Sequence, residues 1–104
     1  MVIIYTTLEN TDQAEAIAQT LIDERLIACA NFWPISSMYT WNNQLEKTSE
    51  IIMWLKTSQE KQEALRKRLP ELHPYECPAV ITLDAKQDNP AFNQWMQSQM
   101  DSGC

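Results

Sequence analysis

The sequence predicts an α+β domain with the element order β-α-β-β-α-β, followed by a short C-terminal helix. Short apolar segments rich in β-branched residues alternate with segments whose apolar residues recur at helical spacing. The composition, 44% hydrophobic and 21% charged, is typical of a globular protein. A length of 104 residues suits a single domain, which we expect to span residues 1–104.

The first two elements are a buried strand and an amphipathic helix. Residues 2–8 are apolar and largely β-branched, which favours a buried strand. Asn10 then offers a side-chain oxygen to cap a helix. The apolar residues that follow have the spacing of one helix face: Ala14, Ile17, Ala18, Leu21 and Ile22.

Residues 26–41 and 45–57 predict two long strands joined at Asn42-Asn43. Because Gly103 is the only glycine, asparagine must supply any left-handed turn residue. A strand over residues 26–41 would be roughly 50 Å long at about 3.3 Å per residue, whereas a domain of this size is only about 33 Å across. We therefore expect a bend or β-bulge near Trp33-Pro34 and a hairpin that projects beyond the sheet.

A projecting hairpin would carry four large apolar side chains away from the core. They are Met38, Tyr39, Trp41 and Leu45. Exposed patches of this kind usually mark interfaces, so we expect self-association. The alternative is that the hairpin folds back on its own core.

The second half repeats the strand and helix pattern. Thr57 and Glu60 have the spacing of a capping box, and the helix that follows should bury one side and stop or kink within a turn of Pro70. The predicted buried side consists of Ala64, Leu65, Leu69 and Leu72. Residues 79–85 predict a fourth strand, and Asn89-Pro90 should begin a terminal helix. That helix is expected to bury Phe92, Trp95 and Met96. The complete order is the ferredoxin-like motif.

Charge and composition exclude several classes of partner. The net charge of −6 disfavours nucleic acid, and no apolar stretch approaches the roughly 20 residues needed to cross a membrane. The N-terminus lacks the basic flank of a signal peptide, so we expect a cytoplasmic protein. Cys29, Cys77 and Cys104 form an odd set without CxxC spacing, which indicates reduced thiols.

Several segments together resemble the CutA divalent-cation-tolerance family. These are residues 26–31 (LIACAN), 37–41 (SMYTW), 56–57 (KT), 72–78 (LHPYECP) and 89–92 (NPAF) before Trp95. The resemblance covers nearly the whole chain in order, and the His-Pro-Tyr-Glu and Tyr-x-Trp pieces are the most specific.

The resemblance implies a ferredoxin-like homotrimer joined through extended β-hairpins. It implies tolerance of divalent cations, and copper binding is associated with some members. The plan is also similar to that of the PII signalling proteins, trimers that bind small effectors in clefts between subunits. Thr6 and Leu72 stand where some members carry a cysteine and a second histidine.

Two residues are candidate ligands for copper(II) or another divalent cation. The single histidine, His73, can ligate through a neutral imidazole; alternatively it shapes the turn before Pro74. Cys29 is the second candidate, although a cysteine flanked by alanines in a strand is more often an inert thiol. His73 and Cys77 should lie about 13 Å apart in an extended segment, too far for a catalytic dyad or for joint chelation.

A ligand cleft between subunits is predicted from the residues that carry the resemblance. It consists of Tyr39, Trp41, Lys56, Tyr75 and Glu76. A structural ion pair between Lys56 and Glu76, with packed aromatic rings, is the alternative.

The sequence leaves three functions open. The first is a homotrimeric binding protein for divalent cations, copper first, with His73 as a ligand. The second is a PII-like module that binds a small effector at the subunit cleft, and the third is a structural trimer. No sequence signature of an enzyme is present, so we expect no catalytic activity.

Overall fold

The computed structural model describes residues 1–101 and contains four strands and three helices. They are β1 (Val2–Leu8), α1 (Thr11–Asp23), β2 (Cys29–Trp41), β3 (Gln44–Thr57), α2 (Gln62–Leu72), β4 (Ile81–Asp84) and α3 (Pro90–Met100). This order confirms the predicted α+β, ferredoxin-like fold with its terminal helix. Cys104 lies outside the described residues. No helix within residues 1–101 is long and apolar enough to cross a bilayer.

The four strands form one antiparallel sheet in the order β2-β3-β1-β4. β1 is central and pairs with β3 from Val2↔Thr57 to Leu8↔Ile51. The inward residues of β1 and β3 pack against the apolar faces of α1 and α2. This core includes Ile4, Leu8, Ile17, Leu21, Met53, Leu55, Leu65 and Leu69. The hydrophobic spacing of the sequence therefore placed the core correctly.

The β2-β3 hairpin is regular along its whole length. Its register runs without interruption from Cys29↔Lys56 to Trp41↔Gln44. The prediction of a β-bulge near Pro34 is therefore wrong. β2 is an edge strand, where proline is tolerated because its missing N–H can face away from the neighbouring strand. Asn42 and Asn43 have φ values of 51° and 62°, which confirms asparagine as the left-handed turn residue.

The projection of the hairpin is also confirmed. The molecule measures 49 × 27 × 21 Å, and its long dimension exceeds the diameter expected for a compact domain of this size. Met38 and Leu45, close to the hairpin turn, are 64% and 69% exposed. Tyr39 and Trp41 are exposed as well. The hairpin therefore does not fold back over its own core.

The capping-box prediction is wrong. Thr57 is the last residue of β3, where its register opposite Val2 turns it into the core. Its hydroxyl donates to the carbonyl of Leu26 at 2.7 Å. The N-cap residue of α2 is Lys61, which makes no side-chain capping bond; in the turn before it, Oγ of Ser58 accepts a hydrogen bond from the N–H of Lys61 at 3.2 Å.

Three apolar side chains expected to be buried on helices are exposed. They are Ile22, Ala64 and Trp95. In α3 the buried face is taken by Met96 and Met100, and Trp95 lies beside it with its ring centre 5.5 Å from that of Phe92. Other helix signals are confirmed: the side chain of Asn10 accepts from the N–H of Gln13 at 2.9 Å, and α2 ends at Leu72, two residues after Pro70.

Candidate ligand cleft beside the hairpin

A cleft of about 500 Å³ lies between the hairpin and the loop that follows α2. Its walls combine aromatic and acidic side chains. The lining residues are Thr7, Tyr39, Trp41, Glu46, Glu50, Tyr75, Glu76, Cys77 and Ala79. Every charged residue among them is a glutamate, so the cleft is acidic.

The alternation of the two long strands places four of these side chains on one face. Tyr39 lies opposite Glu46 in the hairpin register. Trp41 is two residues from Tyr39, and Glu50 is four residues from Glu46. Even spacing along a strand directs side chains to the same side of a sheet. The regular register therefore assembles this wall of the cleft.

Tyr75 closes the cleft from the side of the loop. Its hydroxyl donates a hydrogen bond to Glu50 at 3.0 Å, which ties the loop to the hairpin. Burial, and then the negative charge and hydrogen bond of Glu50, raise the pKa of Tyr75 well above its usual value. Tyr75 is therefore a neutral hydrogen-bond donor at physiological pH.

His73 lies behind this wall and is 8% exposed. Its Nδ1 accepts from the backbone N–H of Tyr75 at 3.1 Å. Its Nε2 lies 2.9 Å from the carbonyl oxygen of Thr7 and 2.9 Å from Oγ1 of Thr6. Because a carbonyl only accepts, the proton is assigned to Nε2. Burial lowers the pKa of His73, although the hydrogen bond to Thr7 opposes the shift.

Neither ring nitrogen of His73 is free for a metal ion in this arrangement. Nε2 carries the proton, and the lone pair of Nδ1 is engaged by Tyr75. The geometry therefore favours the structural alternative, in which His73 shapes the turn before Pro74.

The structure brings together four of the five predicted cleft residues, namely Tyr39, Trp41, Tyr75 and Glu76. Lys56 is not among them, because it lies opposite Cys29 at the base of the hairpin. Its Nζ stands 5.7 Å from the centre of the Phe92 ring. Lys56 therefore makes a cation–π contact, and the ion pair with Glu76 does not form.

Sequence reasoning missed Glu46, Glu50 and Cys77. Glu46 and Glu50 could have been found by counting pairs back from the Asn42-Asn43 turn, since this register sets Glu46 opposite Tyr39. Cys77 follows Glu76 directly and is exposed in the same loop.

The described part of a single chain contains no complete metal site. Among residues 1–101, no three histidine, cysteine, aspartate or glutamate side chains lie close enough to hold one ion. Cys29 is half-buried at the start of β2, opposite Lys56. Any cation bound in the cleft would need further ligands from water or from a second subunit.

The family model described as "CutA1 divalent ion tolerance protein" matches residues 2–99. The chain belongs to the CutA1 family. A divalent-cation tolerance protein CutA from Pyrococcus horikoshii is 40% identical over 96 residues, which cover 92% of this chain and 94% of that protein. The human protein CutA is 35% identical over 99 residues, which cover 94% of this chain and 55% of the human protein.

Solved structures of CutA proteins share the fold. The crystal structure of CutA1 from Pyrococcus horikoshii superposes with a TM-score of 0.93 at 37% identity, covering 97% of this chain and 99% of that chain. A CutA from Archaeoglobus fulgidus, described as a periplasmic divalent cation tolerance protein, gives a TM-score of 0.90 at 29% identity. The match covers 97% of this chain and 100% of that chain.

Proposed function

We propose that this CutA1 protein is a homotrimer that binds divalent cations, with copper(II) as the first candidate, in the acidic cleft beside its hairpin. The observation that carries the proposal is the lining of the cleft, whose charged members among the described residues are Glu46, Glu50 and Glu76. Carboxylate oxygens are cation ligands, and the net charge of −6 raises the local concentration of cations. The names of several relatives refer to divalent-cation tolerance and agree with this role.

Self-association is supported by the exposed hairpin. Met38, Tyr39, Trp41 and Leu45 are between 43% and 69% exposed, and contiguous apolar patches of this kind mark interfaces. β2 and β4 are the two edges of the sheet, so each has one side that pairs with no other strand of residues 1–101. A neighbouring copy would cover the hairpin and supply the ligands that one cleft lacks.

The ligand assignment differs from the one drawn from the sequence. His73 has no free lone pair, whereas Glu50 has one carboxylate oxygen beyond the bond to Tyr75, and Glu76 is exposed. Glu50 and Glu76 are therefore the proposed ligands, and His73 holds the wall of the cleft in place. The role is binding rather than catalysis, and we propose the cytoplasm as its location.

Copper(II) titration of matched variants tests this assignment. The double variant Glu50→Gln and Glu76→Gln removes both charges but keeps the shape of the side chains. It should weaken copper(II) affinity by roughly tenfold or more, equivalent to at least ~1.4 kcal/mol. Glu15→Gln, a change on the exposed face of α1, is the control and should bind as the wild type does.

His73→Gln separates the two ligand assignments. If the cleft holds the ion, this variant retains most of its copper affinity while losing stability. Loss of copper binding in His73→Gln, with binding intact in the glutamate double variant, would overturn the cleft assignment. Light scattering on the same samples measures the mass, for which a trimer of 12.1 kDa chains is expected.

The second candidate is a PII-like module that binds a small effector in the same cleft. The volume of about 500 Å³ is within the range of small-molecule sites. The acidic and aromatic walls favour a positively charged organic ligand, since carboxylates and ring faces both attract cations. A thermal-shift screen of metals and metabolites discriminates the two, because a bound ligand raises the apparent stability.

A further inference from the structure

The partners of His73 fit one protonation state of its ring. Nδ1 lies 3.1 Å from the backbone nitrogen of Tyr75, which can only donate a hydrogen bond. Nε2 lies 2.9 Å from the carbonyl oxygen of Thr7, which can only accept one. The hydroxyl of Thr6, also 2.9 Å from Nε2, can take either role. The neutral ring with its proton on Nε2 therefore satisfies every partner, and the imidazolium does not.

Protonation of the ring removes the acceptor of the Tyr75 N–H. An imidazolium carries a proton on both nitrogens, so its Nδ1–H would face the N–H of Tyr75 across 3.1 Å. Because His73 is only 8% exposed, water has little access to replace the missing acceptor. The bond to Thr7 persists, since Nε2 keeps its proton. The mismatch therefore acts on Tyr75.

Tyr75 carries this mismatch to the wall of the acidic cleft. Its ring centre lies 4.8 Å from that of His73, and its hydroxyl donates to Glu50 at 3.0 Å. Glu76 follows Tyr75 directly and lines the same cleft. A displacement of the Tyr75 backbone would therefore weaken the bond to Glu50 and move Glu76 relative to the hairpin.

The charges near this assembly do not hold the imidazole in its charged form. The titratable or charged neighbours, taken from the surrounding elements, are Glu9 after β1, Tyr39 on β2, Glu50 on β3, Arg68 and Glu71 in the last turns of α2, and Glu76 in the loop. Within residues 1–101 none of them pairs with His73. Burial lowers the pKa of His73 below its ordinary 6.5, against the opposing effect of the bond to Thr7. The ring is therefore neutral at physiological pH and gains its proton in acid.

We propose that His73 is a pH switch that opens the wall of the acidic cleft when its ring is protonated. In the neutral state Nδ1 holds Tyr75, and Tyr75 holds Glu50. In the protonated state Tyr75 leaves the imidazole and carries Glu76 away from Glu50. The resulting loss of cation affinity rests on the proposed function of the cleft, whereas the movement of Tyr75 does not.

A purely structural histidine is the competing explanation. Such a residue would take up its proton only when the whole protein unfolds, and all tyrosines would then respond at once. The switch predicts a response of Tyr75 while the sheet stays folded. Tyr5 reports on the sheet, since it lies in β1 between Trp54 of β3 and Ile81 of β4.

Nuclear magnetic resonance tests the switch directly, because His73 is the only histidine and its ¹⁵N signals need no assignment. The protein is also labelled with ¹³C in its tyrosine rings, and Tyr75→Phe assigns the signal of Tyr75. Spectra are recorded from about pH 7.5 downwards until the protein unfolds. The ¹⁵N shifts should place the proton on Nε2 at the upper pH. The Tyr75 signal should then shift with the midpoint of the His73 nitrogens, while the Tyr5 signal stays constant.

Two variants identify the group that causes the shift. In His73→Gln the side chain has no proton to gain, so the Tyr75 signal should lose this titration step. In Glu50→Gln the step should remain at the midpoint of His73, which excludes the carboxylate as its cause. A ring that stays neutral until unfolding would overturn the switch, as would a Tyr75 signal that does not follow His73.

Copper(II) titration above and below the His73 midpoint connects the switch to the cleft. The wild type should lose roughly tenfold more affinity on acidification than His73→Gln, since both proteins keep the glutamates. Equal losses in the two proteins would overturn the effect of the switch on the cation site. If Tyr75 follows His73 but the double variant Glu50→Gln and Glu76→Gln binds copper as the wild type does, the switch stands and the proposed function falls.

Discussion

Nδ1 of His73 accepts a hydrogen bond from the backbone N–H of Tyr75 at 3.1 Å, and the two rings lie 4.8 Å apart. Tyr75 in turn donates its hydroxyl to Glu50 on the hairpin. The histidine therefore connects the buried sheet, through Thr6 and Thr7, to the wall of the acidic cleft. The sole histidine of the chain positions the candidate site from behind and does not enter it.

Replacing His73 by alanine should destabilise the protein. The change removes a buried ring and leaves the N–H of Tyr75 and the carbonyl of Thr7 without their partner, which costs about 1–3 kcal/mol for an unsatisfied buried group. Chemical denaturation at one fixed protein concentration measures the free energy of unfolding. Lys67→Ala, a surface change on α2, is the control. Equal stability of the two variants would contradict a structural role for His73.

The lowered pKa of His73 makes stability depend on pH. Because the unfolded state binds the proton more readily than the folded state, the contribution of His73 is fully present above its ordinary pKa of 6.5. It declines as pH falls from there through the lower pKa of the folded state. We expect the free energy of unfolding of the wild type to drop more than that of His73→Gln between about pH 7.5 and pH 5. If the free energy of unfolding changed with pH in the same way in the wild type and in His73→Gln, the lowered pKa of His73 would be contradicted.

Glu50→Gln should bring the pKa of Tyr75 part of the way back to its ordinary value of 10. Only part is expected, because burial is the largest cause of the shift and Glu50 adds to it. Ultraviolet titration of tyrosinate against a Tyr75→Phe reference isolates this residue. A titration curve that is unchanged in Glu50→Gln would show that the hydrogen bond between Tyr75 and Glu50 does not form.

Thr57 and Glu60 should respond differently to substitution. Thr57→Val keeps the shape of the buried side chain but leaves the carbonyl of Leu26 unpaired, so the free energy of unfolding should fall by about 1–3 kcal/mol. Glu60→Ala should change it by no more than ~0.5 kcal/mol, as is usual at exposed positions. A large decrease in the free energy of unfolding of Glu60→Ala would indicate that Glu60 does cap the helix, contrary to the structure.

The fold could be predicted because its signals are local and repeated. The β-branched run of β1 and the helical spacing in α1 each specify one buried face, and both faces meet in the core. The T-x-x-E pattern failed because β3 continues through Thr57, and the pairing with Val2 outweighs a local capping preference. The prediction that Trp95 is buried failed because burial depends on a residue's position around the helix axis as well as on its hydrophobicity.

The site could be predicted only in part. The family resemblance predicted four residues that line the same cleft in the structure, namely Tyr39, Trp41, Tyr75 and Glu76. The prediction that Lys56 lines the cleft was wrong. The pairing register sets Lys56 opposite Cys29 and Tyr39 opposite Glu46, so the two residues lie at different points along the hairpin. The hydrogen bond from His73 to Thr7 joins residues 66 positions apart, so no local sequence pattern could predict it. The hydrogen bond from the N–H of Tyr75 to His73 depends on the shape of the turn at Pro74, which the sequence does not specify.

Anomalous X-ray diffraction from crystals soaked in copper(II) tests the central proposal most directly, because it locates the ion and the neighbouring subunits together. We predict one strong anomalous peak per subunit in the acidic cleft, within bonding distance of Glu50 or Glu76, in a trimer whose hairpins cover one another. A peak on His73, peaks confined to cysteine sulfur, or a monomer with an empty cleft would contradict it.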